Sequence, residues 1–459
     1  MIKRQRRAND DEARKDVQLY LSDEYGPGAT RHRKPEASPN QAERADIELR
    51  YAPYLAERFD YKRLVTYVPN KGIPIYNWFR FKEGFSRQLV VNLLSKFGLT
   101  RGSLIYDPFI GCGTTVLACK EQGIDAVGTD VLPVAVFVAK AKITDWPEAR
   151  VLMCAVRKLS EAQPEEPRGS LPKIRIVDLA FSPQVQKEIM FFKERIDRFD
   201  LPVRSFLLLG LLSILERASS TSKDGQFLRL VNRPPCSVRT ALLEELGSMI
   251  RDLQFTSAEH GTPAGKVDVL TGDARQLCLP SQYHGAIDAV ITSPPYLNRY
   301  DYSRSYALEL CLLSVKSHED MVAVRHSLLR SHIESRESNR MSFLLPALDE
   351  ILQELGKKEL NNERVPTMIR AYFEDMDLVI GNLFAYLKSG GRVALVVANA
   401  QFAGENVPTD LMLCELAVRH GFVIEEIWVT RYKGNSSQQM AIYGRRPVRE
   451  SIVFWRKNA

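Results

Sequence analysis

The chain has 459 residues, 45% hydrophobic and 26% charged, with a formal net charge of +7, which is enough polypeptide for a large core or two to three domain-sized units and suits a polyanionic partner without requiring one. No apolar run reaches the ~18 residues of a membrane-spanning helix, and the charged start MIKRQRRANDDEARKD holds no apolar signal core. The seven cysteines (Cys112, Cys119, Cys154, Cys236, Cys278, Cys311, Cys414) are scattered without a CxxC or a metal-spaced histidine, so neither a disulfide framework nor a metal site is expected, and a reducing cytoplasm is the expected setting.

Residues 1–48 read as a polar, flexible arm with a short helix over 10–22 and a basic start able to touch a nucleic-acid backbone. The stretch GIPIYNWFRFKEGFSRQLVVNLLSKFGL turns from a proline loop into an amphipathic helix, with Phe85, Leu89, Leu93 and Leu94 at helical spacing. SLIYDPFIGCGTT then gives a strand, an acid and a glycine loop, followed by a helix closed by Gly123. DAVGTD is a second strand and LPVAVFVAKAKI a second helix, so 49–145 opens a doubly wound sheet. Residues 146–262 interrupt it with a helical insertion, in which FLLLGLLSIL is a buried helix and SSTSKDGQFLRLVNRPP a polar, basic stretch. The sheet resumes over 263–310, breaks again for a charged helical insertion over 311–365, and closes over 366–459. Strands are expected near 103–107, 125–130, 267–271, 286–292, 392–398, 422–430 and 451–456. The last two follow each other without a helix, so they pair antiparallel. The fold class is therefore α/β: about seven mostly parallel strands, an antiparallel last strand and two helical insertions.

In DPFIGCGTT, Asp107 ends a strand, and Gly111 and Gly113 let the backbone approach a ligand at a helix N-terminus. No Lys-Ser/Thr follows the last glycine, so the loop is not a phosphate cradle, and the three-glycine dinucleotide spacing is missing. Asp130 ends the second strand, where it can accept from ribose hydroxyls, and Asp273, in GDA after the third, can accept from an adenine amine. Three acids on neighbouring strand ends describe a nucleoside with an amino-acid tail and no phosphate, such as S-adenosylmethionine.

The sheet's fourth strand runs into ITSPPYLNRYDYSRSYALEL. Two prolines end any ladder and stiffen the chain. An exocyclic amine on a nucleobase is a poor nucleophile because its lone pair is delocalised into the ring. Acceptors that take both N–H groups localise that pair; the Ser293 hydroxyl and the Pro294 carbonyl are the candidates. Pro295 helps preorganise them, and Tyr296 offers a face to the base.

DPFIGCGTT resembles the cofactor motif, and TSPPY the catalytic motif, of the DNA amino-methyltransferases, which modify the exocyclic nitrogen of cytosine or adenine. The resemblance covers roughly 72–145, 266–310 and 370–456. It implies a Rossmann-like class I methyltransferase fold, S-adenosylmethionine as cofactor and double-stranded DNA as partner. It also implies an everted target base, direct transfer without a covalent intermediate, and a proton released to solvent. Phe109 and Thr114 join the glycine loop as cofactor residues. NWFRFKEGFS is similar to the family's helix over the methionine end, which adds Trp78, Phe85 and Ser86. Ser-Pro-Pro-Tyr is the more usual corner among cytosine-N4 enzymes and Asp-Pro-Pro-Tyr among adenine-N6 ones. The implied role is restriction–modification or anti-phage self-marking, with restriction or defence subunits as partners.

Asn298, Tyr300, Arg431, Asn435 and Ser436 are candidates for contacting DNA, and the two insertions are the only spare material for target recognition. PPC at 234–236 and ENV at 405–407 superficially resemble the cytosine-C5 enzymes, which attack the ring with a cysteine, but Cys236 falls in an insertion and not at a strand end. An adenine-N6 enzyme, an RNA methyltransferase and a catalytically silent DNA-binding subunit are the other readings of the sequence.

Overall fold

The computed structural model describes residues 42–224, 227–232, 236–257, 264–335, 345–434 and 447–458. The first strand, β1 (Leu55–Glu57), precedes the amphipathic helix Arg87–Lys96, which Ser86 caps by accepting from the Leu89 amide. Then come β2 (Leu104–Asp107), helix Thr114–Glu121, β3 (Asp125–Asp130) and helix Pro133–Ile143. The first insertion contributes five helices and a hairpin of β4 (Thr221–Asp224) with β5 (Phe227–Leu230). β6 (Val267–Thr271) and β7 (Ile287–Thr292) follow, then the second insertion and helix Val365–Tyr386. The chain continues through β8 (Leu387–Ala398), a ribbon of β9 (Ala400–Phe402) with β10 (Glu405–Val407), helix Thr409–Arg419, β11 (Phe422–Lys433) and β12 (Val448–Lys457).

Eight strands form one sheet in the order β1-β11-β12-β8-β7-β2-β3-β6. β12 runs antiparallel to both neighbours, β11 and β8, while the pairs from β8 to β6 are parallel. The chain travels outward from β2 to β3 and β6, then returns to lay β7 on the other side of β2. That reversal opens a crevice at the carboxyl ends of β2 and β7, where an open α/β sheet holds its ligand.

The central strands are buried, largely apolar runs, such as 289–291 of β7 and 393–398 of β8, as strands covered on both faces must be. Helices Val365–Tyr386 and Thr409–Arg419 bury one face with Ile369, Phe373, Ile380 and Leu413. Leu89 and Leu93 of the Arg87–Lys96 helix, with Val116, cover the other. The first insertion packs around helix Val203–Ala218, whose residues Phe206, Leu207, Leu209 and Leu211 are fully buried, in a cluster shared with Val134 and Val138 of helix Pro133–Ile143 and with Tyr306 and Leu308. No helix among the described residues is long and apolar enough to cross a membrane.

Three features differ from the sequence expectation, and one expectation falls outside the described residues. The sheet has eight strands because three-residue β1 pairs in parallel with β11, a strand too short to show a period. The arm expected over 1–48 ends earlier, since Ala42–Tyr51 is a helix that buries Ile47 and Tyr51. Its Arg44 Nε donates to Glu350 at 2.5 Å and its Nη1 to Glu405 at 2.5 Å. The helix expected over 10–22 lies outside the described residues. Within the polar stretch of the first insertion, the β4–β5 hairpin is tied inward: the Lys223 ammonium bonds the Glu309 carboxylate, both are buried, and it lies 4.2 Å from the centre of the Tyr306 ring.

Candidate active site

Asp107, the last residue of β2, is buried at the crevice. Its carboxylate accepts from the Thr115 hydroxyl at 2.6 Å, the Thr292 hydroxyl at 2.7 Å and the Phe109 amide at 3.1 Å. Burial pushes its pKa up to about 6 against the opposing pull of these hydrogen bonds, and the Asp130 charge adds to the rise. Asp130, at the end of β3, accepts from the Leu132 amide at 2.9 Å and the Gly111 amide at 3.1 Å. Burial likewise pushes it to about 6. The glycine loop is therefore laced to both strand ends by their own acids.

Gly113 caps the helix Thr114–Glu121 with φ +83°, and a Cβ there would stand 3.0 Å from Ala139. Gly111 has φ +50° and lies against the ring of Phe81, 3.1 Å from where its Cβ would be. Both positions need glycine for conformation and for space.

Asp107, Asp130, Gly111, Thr115 and Phe81 line a cleft at this rim. Thr114, Phe109 and Phe85 contribute to its wall, Ser293 and Pro295 close it on the β7 side, and Leu328 and Leu329 reach in from the second insertion. Glu83 is its third acid; one oxygen accepts from the Tyr306 phenol at 2.6 Å, and the other accepts no hydrogen bond, with the Lys82 ammonium 4.0 Å away. No lysine or arginine is among the lining residues described. Three carboxylates, one of them with an unmatched acceptor, on aromatic walls reject a phosphate and suit a cationic, amine- and hydroxyl-bearing ligand. The donor set therefore fits S-adenosylmethionine.

β7 ends at Thr292, and the corner turns there with trans peptide bonds before both prolines. The Ser293 hydroxyl donates to the Val396 carbonyl of β8 at 3.1 Å, which spends its proton and leaves its lone pairs as acceptors. Pro294 is buried, and Ser293, Pro295 and Tyr296 are half-buried. The Lys433 ammonium lies 5.5 Å from the centre of the Tyr296 ring. Burial, with the nearby Glu450 carboxylate, holds the Tyr296 phenol well above its usual value, so it stays neutral.

Several residues named from the sequence fall elsewhere. Asp273 is absent from the cleft lining because Arg275 takes both its oxygens, at 2.7 and 2.9 Å. Trp78 is buried toward the first insertion: its indole N–H donates to Asp252 at 2.9 Å and its ring packs on Trp146 and Phe206. Ser86 is fully buried and spent as a helix cap. Arg431 is bound through Nε to the buried Glu450 carboxylate, which also takes Lys433 at 2.6 Å. Tyr300 is buried with its phenol unbonded, and Asn298 is exposed, its side chain accepting from the Tyr300 amide at 3.1 Å. Asn435 and Ser436 lie outside the described residues. Cys236 is far from the cleft, its thiol donating to the Arg217 carbonyl at 3.3 Å, and Glu405 is held by Arg44 and Lys358.

Sequence reading missed Thr115, Thr292, Glu83 and the leucine pair of the second insertion. The threonines adjoin the two motifs and were legible as hydroxyls beside a buried acid. Nothing marks Leu328 and Leu329, whose place depends on a long excursion of the chain.

A doubly wound sheet with an anion-rejecting cleft at its switch point and a diproline corner on the next strand defines an S-adenosylmethionine-dependent methyltransferase. The comparisons sharpen that class. The chain is 33% identical over 473 residues to the type II methyltransferase M.BsoBI of Geobacillus stearothermophilus, covering 91% of this chain and 92% of the relative. It is 33% identical over 438 residues to the type II methyltransferase M.AvaI of Nostoc sp., covering 86% and 89%. Type II methyltransferase M.MvaI of Kocuria varians matches at 20% identity over 342 residues, 68% of this chain and 73% of the relative. No protein-family model matches. The chain belongs to the type II DNA methyltransferases.

Proposed function

We propose that this protein methylates the exocyclic N4 of cytosine at a specific site in duplex DNA, as the modification partner of a restriction system. The observation that carries the base assignment is the serine at the corner, with its hydroxyl proton already given to Val396. A neutral acceptor there is the form more usual among cytosine-N4 enzymes. On this reading Ser293 and the Pro294 carbonyl take the two N–H groups of the everted base, and Tyr296 stacks on it. Both acceptors are preorganised, so little rearrangement is left for the reaction itself. The Ser293 hydroxyl donates to a backbone carbonyl, and on this reading the proton leaves to solvent.

Bound S-adenosylmethionine supplies an electrophilic methyl group. Asp130 holds the ribose hydroxyls, Asp107 and the unmatched Glu83 oxygen attract the ammonium, and Phe85 and Phe109 cover the apolar parts. Gly111, Gly113 and Thr114 shape the loop beneath. The first insertion, whose β4–β5 hairpin is anchored beside the corner's helices, reads the target.

Incubation with isotopically labelled S-adenosylmethionine and either duplex DNA or RNA, then chromatographic and mass analysis of the nucleosides, tests the proposal. Labelled N4-methylcytosine is the expected product. N6-methyladenine in its place would establish the adenine reading, and label in RNA alone would remove DNA as the substrate.

A further inference from the structure

Arg299, three residues beyond Tyr296, has an unusual environment for a charged side chain. It is half-buried, and its backbone is left-handed, with φ +66°. The Arg299 amide donates to the Ser331 carbonyl at 3.1 Å, which fixes that conformation. Of its guanidinium donors, Nη1 reaches Asn361 Oδ1 at 3.3 Å, and the group lies 5.9 Å from the Phe402 ring centre, at the outer limit of a cation–π contact. No carboxylate pairs with it among the described residues. Burial accordingly lowers its pKa with nothing to offset it.

Other inward-turned arginines are neutralised: Arg44 by Glu350, Arg275 by Asp273, Arg330 by Asp375 and Arg449 by Asp410. The acid nearest in sequence, Asp301, is already taken by Arg325. A partly desolvated guanidinium without a counter-charge is a standing demand for an anion. Its position names the source. Phe402 lies just past the end of β8, whose Val396 carbonyl holds Ser293, so Arg299 stands on the same rim as the corner. An everted nucleotide brings its phosphodiesters to that rim.

We infer that Arg299 binds a DNA phosphodiester flanking the everted nucleotide, through the guanidinium that its left-handed backbone holds at the rim. The inference rests on the reading of the corner as the base-holding site. Phosphate contacts of this kind position the duplex without reading its sequence.

The test uses the full chain with S-adenosylhomocysteine and a short duplex carrying the methylation site, mapped by sequencing plasmid DNA from cells that express the protein. R299A is expected to weaken duplex binding and to reduce the slope of log affinity against log salt by about 0.9, one phosphate's worth. R299K, which keeps the charge, should retain the slope. S-adenosylhomocysteine affinity, measured by calorimetry, should be unchanged in both variants and reports that they are folded. A neutral methylphosphonate at the contacted phosphate should weaken the wild-type protein and leave R299A unaffected. An unchanged salt slope in R299A, or equal sensitivity of both proteins to every methylphosphonate, overturns the inference. The corner reading is tested separately by product formation in Ser293→Ala, so the two can fail independently.

Discussion

The Thr292 hydroxyl donates to the Asp107 carboxylate at 2.7 Å, joining the residue before the diproline corner to the acid of the cofactor loop. One hydrogen bond thus sets the distance between the two halves of the site across the β2–β7 crevice. Thr292→Val keeps the shape and removes the donor, leaving Asp107 with a worse environment. A hydrogen bond to a charged group contributes roughly 1.5–3 kcal/mol, so S-adenosylhomocysteine affinity should fall by about 10- to 100-fold by calorimetry. An unchanged affinity would show that the bond does not organise the cleft.

The two strand-end acids predict a pH dependence. Asp107 and Asp130 have pKa values raised by burial from 3.8 to about 6. A raised carboxyl favours the folded protein most below its unfolded value, and that stabilisation is lost as pH rises through about 6. Without cofactor, then, thermal stability should decline between about pH 4 and 6 at these two sites. A cationic cofactor favours their ionised forms, so its affinity should rise over the same interval and binding near pH 6 should release protons. Calorimetry in buffers of different ionisation enthalpy measures that release; Asp130→Asn should reduce it.

Ser293→Ala removes an acceptor proposed to act on the base and not on the cofactor. Loss of one preorganised polar group at a reacting centre costs about 10²- to 10³-fold in kcat. Single-turnover methylation should slow on that scale while S-adenosylhomocysteine binding stays within about twofold of wild type.

Gly113→Ala places a methyl group 3.0 Å from Ala139 on a backbone at φ +83°. Strain of this type costs about 1–3 kcal/mol, and the helix start should shift away from the cleft. The expected result is a lower thermal midpoint together with weaker cofactor binding.

Cys236→Ser should leave methylation at the wild-type rate. Its thiol donates to a backbone carbonyl inside the first insertion, which is no position for a nucleophile. Loss of activity in a folded Cys236→Ser protein would reopen ring attack as the chemistry.

Much of this architecture was legible because the central strands are largely apolar runs ended by functional residues. Asp107, Asp130 and Ser293 each close such a run, and the glycine loop announces its helix. Other candidates have partners that a linear reading does not show. Asp273 was read as an acceptor for an adenine amine, and Arg275, two residues on, takes its oxygens; local ion pairs leave no period in a sequence. Trp78 was named from its likeness to the family's helix and Arg431 from its place in a polar loop, whereas their partners Asp252 and Glu450 lie 174 and 19 residues away along the chain. Residues that face a neighbour from a distant segment are the ones a linear reading loses. Tyr296 was read as an open platform; the Lys433 ammonium over its ring adds a cation that the sequence placed in another loop.

The buried Lys223–Glu309 pair has a practical side for anyone redesigning the enzyme's target. If the first insertion reads the target, as proposed, exchanging it for that of a relative is a route to a hybrid with new site preference. Such a graft would leave the buried Glu309 carboxylate without its counter-charge unless the donor sequence also brings a cation to the position of Lys223, or the recipient's glutamate is exchanged for an uncharged residue of similar size. The junction that decides whether a chimera folds is therefore a single side chain inside the transplanted piece and not the splice points at its ends.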